Sequence, residues 1–375
     1  MVLKMVNEAQ PQSVSVLQLV LFFSLLIASA VLANPPIALL LGLLVAAPPS
    51  RAQVTLGPVT IGGGLRTSYV HTEPDGGNST DQCLVNDARL YVNGSATEKI
   101  KFMFNTDYDS SSDHLAVLDA VARFEFSRKF NIWAGRFLEP SDRANLYGPF
   151  YAHEWAVYTD AIQNGHPSVF QGRDNGVAYW GDFGKKVKMK VSAGAFDGKS
   201  ADGNPDVIGA ARVQLDFWDA EEGYYLNGTY YGDKNLLAIG GATQVQSGHT
   251  ATTVDFLLEK KVLNGGAFSV EAEYASYNGL GGYLPGAAKS QGAYALGSFL
   301  FPKPVGMGKF EILGKFAKAE SMGQKLFITQ KTTEANFNYV IKQFNARVMT
   351  FYKDTRFNRL NPNFWQLGIG LQVQI

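Results

Sequence analysis

From Val59 to Ile375 the chain alternates repeatedly between apolar and polar positions two residues apart. The last ten residues show it best. Leu367, Ile369, Leu371, Val373 and Ile375 fall on one face of a strand, and Gln366, Gly368, Gly370, Gln372 and Gln374 on the other. Strand side chains repeat every two residues, so such a ribbon is apolar on one side only. The pattern predicts strands over 59–71, 84–97, 100–109, 115–126, 130–138, 174–183, 187–196 and 207–217. It continues over 236–246, 251–261, 266–277, 292–301, 309–320, 331–341, 344–354 and 364–375. Most are near the length a tilted strand needs to cross a bilayer, about ten residues.

Residues 224–231 are ambiguous and could add a seventeenth strand. Link lengths argue against it. With 219–235 as an irregular connection, the tight links at Glu98-Lys99, 127–129, 184–186, Asn264-Gly265 and Lys342-Gln343 fall on one side. The longer links 72–83, 139–173, 197–206, 278–291, 321–330 and 355–363 fall on the other. Short periplasmic turns, long outer loops and an even strand number are the habit of membrane barrels. Sixteen strands are expected.

Several strands carry an apolar face, such as Ile100/Phe102/Phe104, Ala116/Leu118/Ala120/Ala122/Phe124 and Phe310/Ile312/Gly314/Phe316. Their other faces carry charge, including Lys101, Asp107, Glu125 and Lys315. A soluble sandwich would bury large apolar residues from two sheets in a dry core. This alternation suits an all-β, transmembrane antiparallel barrel around water. Trp133, Trp180 and Trp365 are expected in the interfacial aromatic girdles.

The first fifty residues differ. Lys4 precedes an apolar run over 17–33, then Asn34-Pro35-Pro36, then a second run over 37–47 and a Ser50-Arg51-Ala52 site. Residues 1–52 are expected to be a secretory signal peptide, and 53–375 the barrel. Beyond Gln53 no apolar run approaches the roughly 20 residues a transmembrane helix needs.

Composition narrows the function. The formal net charge is zero, so no nucleic-acid partner is expected. Cys83 is the one cysteine, which excludes an intramolecular disulfide and cysteine-based zinc sites. His153-Glu154 is not part of an H-E-x-x-H motif and no Gly-x-Ser-x-Gly elbow occurs. No enzyme, metal or cofactor is expected.

The chain also resembles a known family. Asp87-Ala88-Arg89-Leu90-Tyr91-Val92-Asn93-Gly94 and Gly135-Arg136-Phe137-Leu138-Glu139-Pro140 are similar to segments of the phosphate-selective porin O/P family. So are Phe217-Trp218-Asp219-Ala220-Glu221-Glu222-Gly223-Tyr224-Tyr225 and Asp354-Thr355-Arg356. Gly370-x-x-Val373-x-Ile375 resembles the C-terminal sorting signal of bacterial outer-membrane proteins, with Ile375 where Phe is usual. The resemblance implies a trimeric channel in the bacterial outer membrane whose third outer loop folds into the lumen. Its expected partners are outer-membrane lipid and lipopolysaccharide, and small hydrophilic or anionic solutes.

A channel works through pore radius and the charge on its wall. Alternation sends Arg89, Arg123, Arg136, Lys188, Lys190, Arg212 and Arg347 inward. Asp255, Glu259, Glu271 and Glu273 form an acidic group on two later strands. With Lys188, Lys190 and Arg212 opposite, they are expected to set a transverse field across the lumen. In the long loop, Glu139, Asp142, Arg143, His153 and Glu154 are expected at the constriction, with Arg136 and Arg143 offering planar donors to oxyanions. The expected function is an outer-membrane porin for small hydrophilic solutes, in its narrower form preferring anions or phosphate. A weakly selective diffusion porin, a plugged structural barrel and a barrel enzyme are the alternatives.

Overall fold

The structure is a computed structural model describing residues 54–56, 58–109, 113–155, 160–162, 167, 171–199, 205–262, 265–282, 288–323, 327–359 and 361–375. Residues 1–52 lie outside the described residues.

A short strand, β1 (Val54–Leu56), folds onto the start of β2 (Val59–Pro74). The wall continues through β3 (Thr80–Ser95), β4 (Ile100–Asp109), β5 (His114–Ser127), β6 (Phe130–Leu138), β7 (Arg173–Phe183), β8 (Lys188–Lys199) and β9 (Pro205–Asp216). The second half is β10 (Leu236–Gln246), β11 (His249–Val262), β12 (Gly266–Asn278), β13 (Lys289–Leu300), β14 (Lys309–Met322), β15 (Phe327–Lys342), β16 (Ala346–Phe357) and β17 (Phe364–Gln374). Each long strand pairs antiparallel with its chain neighbours. The pairing of β17 with β2, from Gln374↔Gly64 to Phe364↔Pro74, closes the ring. Sixteen strands therefore form a closed barrel, which leaves no open backbone edge in lipid. Residues 224–231 form no strand.

Period-two alternation decides which side chains face out. Phe102, Val177, Val213, Ile239, Val254, Phe268, Ile312 and Phe316 stand exposed on the exterior. Aromatic clusters mark both ends of this apolar band. His71 and Tyr352 flank Trp365 at ring distances of 5.3 and 6.0 Å near the outer rim. Phe130 sits between Phe126 and Tyr179 at 5.8 and 5.7 Å near the other. An apolar belt between aromatic girdles, around a polar interior, is the architecture of a bacterial outer-membrane barrel.

Two local expectations fail for one reason, the coupling of register to facing. A register shift at Asn105/Thr106 marks a bulge between β4 and β5. It turns Leu118 inward beside Asp119, fully buried, instead of toward lipid. The whole of β6 also faces the opposite way from expectation. Asn131, Trp133 and Phe137 point into the lumen, Trp133 with only 2% of its surface exposed. A one-residue change of phase exchanges every side chain between faces. Trp133 and Trp180 are therefore lumenal rather than girdle residues, and of the three tryptophans only Trp365 lies on the exterior.

Candidate functional site

The loop between β6 and β7 folds into the lumen. Asp142 caps a short helix, α1 (Arg143–Tyr147), by accepting a hydrogen bond from the Asn145 backbone N–H at 2.7 Å. Successive loop groups then meet inward-facing residues far around the wall. Tyr147 donates to Glu271 at 3.0 Å, and Gln244 donates to Glu139 at 2.9 Å. The Lys315 ammonium reaches Glu154 at 2.6 Å and Asp160 at 2.9 Å. Arg347 and Gln372 donate to the carbonyls of Ala152 and Phe150. Arg66 donates to the carbonyl of Trp155 and lies 4.1 Å from its ring. Backbone that enters a barrel must find partners there, and the charged wall supplies them.

A second segment enters from the periplasmic side. The link between β9 and β10, expected to be an irregular connector, turns inward and docks on α1. Glu221 takes a bidentate ion pair from Arg143, at 2.9 and 2.5 Å. The Leu226 and Gly228 N–H groups donate to the carbonyls of Leu146 and Tyr151, and Arg143 also donates to the Asn227 carbonyl. Tyr224 inserts among Trp133, Phe137 and Trp180 and donates to the Leu138 carbonyl at 2.7 Å. Glu259 accepts from the Thr229 hydroxyl and from the backbone of Tyr230 and Gly232. Loop and link together make a hydrogen-bonded plate across much of the lumen.

Electrostatics hold the plate. Burial alone would raise the Glu221 carboxyl, but the Arg143 guanidinium outweighs it and brings the carboxyl down to about 2. His153, buried against Glu311 at 2.8 Å, shows the same contest. Burial favours the neutral ring, the carboxylate favours the charged one, and the carboxylate prevails.

The expected transverse field does not form. Arg212 and Asp255 lie on β9 and β11 with one strand between them, and they pair directly at 2.5 and 2.8 Å. They meet over Gly240, where an added Cβ would come within 2.1 Å of the guanidinium. The Arg143 Nε lies 3.6 Å from the same carboxylate. Basic and acidic groups thus interleave on one side of the lumen. Glu259, Glu271 and Glu273 sit on that side too, each under the plate and almost fully buried. Lys190 is buried there, its ammonium without a hydrogen-bond partner among the described residues. Lys188 lies at the periplasmic end and donates to the Trp218 carbonyl. Arg123 lies in the lumen over the Trp133 ring.

Arg136 is a correction. It stands opposite Ala120 on β5 and Asn175 on β7, both exposed on the outer wall. Directly opposed residues share a face, so Arg136 is on the exterior and cannot contact a solute in the pore. Trp133 and Phe137 cause this, because their lumenal aromatic partners fix the facing of β6.

Among the described residues, a cavity of about 430 Å³ lies beside the plate against β2–β7. Its charged lining residues are Arg89, Arg173 and Asp119, and its tyrosines are Tyr91, Tyr147, Tyr151 and Tyr225. Leu118, Leu138, Leu146 and Leu226 make the apolar part. Arg89 pairs with Asp107 at 2.9 Å, and Arg173 with Asp119 at 3.3 Å. Of the basic residues expected at the pore, Arg89 lines this cavity, whereas Arg143, Lys190, Arg212 and Arg347 are packed into the plate or its supports. Alternation puts Asp119 on the inward face, and the long loop carries Tyr147 and Tyr151, but sequence reasoning missed Arg173, Tyr91 and Tyr225. Nothing local marked Tyr225 as lumenal.

No family model matches the chain, and no curated protein matches it. Solved structures match its fold. It is similar to OmpF of Salmonella typhi in complex with daunomycin, at a TM-score of 0.59 and 11% identity over 86% of this chain and 100% of that one. An anion-selective porin from Comamonas acidovorans gives a TM-score of 0.57 at 11% identity, over 84% and 99% of the two chains. The trimer form of OmpT from Vibrio cholerae gives 0.53 at 11%, again over 84% and 99%. The likeness is one of fold.

Proposed function

We propose that the chain is an outer-membrane porin, a passive diffusion channel for small hydrophilic solutes with weak charge selectivity. The observation that carries this is the cavity of about 430 Å³ left beside the plate, inside a barrel whose exterior is apolar. Wall charge decides selectivity in such a channel. Here Arg89 and Arg173 each face a carboxylate partner, which supports balanced permeation over the anion or phosphate preference that the resemblance implies. The similar anion-selective porin keeps that narrower reading worth testing.

Chemistry at a triad is poorly supported. His153, Ser298 and Glu311 meet, but the serine hydroxyl and the carboxylate approach the same imidazole nitrogen, Nε2, at 3.0 and 2.8 Å. Relay between a nucleophile and an acid needs both ring nitrogens. A homotrimer in contact with outer-membrane lipid and lipopolysaccharide is the assembly we propose, supported by the trimer form of the Vibrio neighbour. Residues 1–52 are read as the export signal, which the mass of the mature chain tests.

The test is zero-current potential and conductance in a planar bilayer under a KCl gradient, with phosphate titrated against the current. The expected result is steady conductance, a potential near zero and no phosphate block. A strongly anion-selective current blocked by phosphate would replace this reading with the narrower one. Folded protein without conductance would favour a plugged structural barrel.

A further inference from the structure

The cavity has a chemistry that charge does not describe. Tyr91, Tyr151 and Tyr225 line it together with the carboxamides of Asn93, Asn105 and Asn227. Tyrosine offers an apolar ring and a polar tip, and hydroxyl and carboxamide groups both donate and accept hydrogen bonds without charge. Three of these polar atoms are buried and unmatched. The Tyr91 hydroxyl, the Tyr225 hydroxyl and the Asn105 side-chain oxygen have no hydrogen-bond partner among the described residues. Buried polar groups in folded proteins are nearly always paired, so an orphan set around one cavity points to a partner the chain does not supply.

Resting on the channel reading above, we propose that this cavity is a binding subsite for a neutral polyhydroxylated solute, a mono- or disaccharide, within the permeation path. Such a solute carries hydroxyls that both donate and accept, and C–H faces that pack on aromatic rings. An oxyanion would need a cation free to meet it, and the cations here already face Asp107 and Asp119. A purely apolar solute would leave the orphan hydroxyls unmet, at a cost for each. The volume of about 430 Å³ lies within the roughly 300–1,000 Å³ usual for small-molecule sites.

The experiment is ion current through the purified full chain in a planar bilayer, with glucose, maltose or inorganic phosphate added. Glucose or maltose should reduce the current saturably, and phosphate should not. The double variant Tyr91→Phe/Tyr225→Phe keeps both rings and removes both hydroxyls. It should retain heat-modifiable migration while raising the half-blocking sugar concentration. At about 1 kcal/mol for each lost hydrogen bond, roughly fivefold per hydroxyl is expected. Tyr352→Phe, on the outer wall, should leave the block unchanged. Conductance without sugar block, block by phosphate instead, or an unchanged half-blocking concentration in the double variant would each overturn the subsite while leaving a channel. Absence of ion current would overturn the channel reading and this proposal with it.

Discussion

The two sides of the lumen are built on opposite terms. Against β8–β16 the space is filled: Arg143, Arg212 and Lys315 each meet carboxylates at hydrogen-bond distance, and every one is almost completely buried. Beside β2–β5 a cavity remains, and two further buried ion pairs, Arg89 with Asp107 and Arg173 with Asp119, lie at its border. The same residue types thus serve two ends. Where charges are desolvated and matched they act as struts that hold inserted backbone. Where they border a cavity, the proposed channel reading gives them a part in selectivity. A count of lumenal charge cannot separate the two roles, because the separation depends on where loop and link come to rest.

The comparison breaks most severely at Arg143. Arg143→Met strands Glu221 without its partner under the plate, and breaking a buried pair this way costs roughly 3–5 kcal/mol. The expected result is a lower midpoint in denaturant-induced loss of near-ultraviolet dichroism, with larger and noisier single-channel conductance as the link comes away. Conductance and dichroism identical to the parent would mean the plate does not narrow the lumen.

Acid should act on the same pair. The Glu221 carboxyl is lowered in the folded state from its ordinary 4.5 to about 2. Its contribution is therefore fully present above pH 4.5 and is lost as pH falls from there toward 2. The loss is on the order of 3 kcal/mol. Tryptophan emission reporting on Trp133, which packs against Tyr224 at 4.7 Å, should change over that range in the parent and be flatter in Glu221→Gln.

Smaller effects sharpen the contrast. Tyr224→Phe removes one hydrogen bond to the Leu138 carbonyl but keeps the ring in its cluster. A loss of about 1 kcal/mol in unfolding free energy is expected. Arg173→Glu, on the open side, places a carboxylate beside Asp119 and should move the zero-current potential toward cations. Arg136→Glu, on the outer wall, should leave that potential where it was, and a shift equal to that of Arg173→Glu would return Arg136 to the pore.

Much of this could be read from the chain alone. Period-two alternation, links of unequal length and an apolar face backed by charge suffice for a sixteen-stranded membrane barrel, because facing within one strand is a local property of the pleat. The long loop after β6 was legible as well: its length and its density of charge and aromatics mark it as an insertion with work to do. Three features were not legible. Gly135, with a φ of +131°, and the bulge at Asn105/Thr106 disturb the alternation where β4, β5 and β6 meet. The facing of β6 depends on Tyr224, remote in sequence, offering Trp133 and Phe137 a place in the lumen. The reach of Arg212 to Asp255 depends on a glycine at 240 in the strand between them.

The sequence by itself determined the barrel, its strand number and the polarity of its two faces, since these follow from spacing along one chain direction. The tertiary structure alone decided which charges are struts and which border the opening, which way β6 faces, and that the link of residues 217–235 enters the lumen. Those outcomes rest on contacts between segments that share no local pattern. Their physical basis is that buried charge and buried backbone must find specific partners, whatever their distance along the chain.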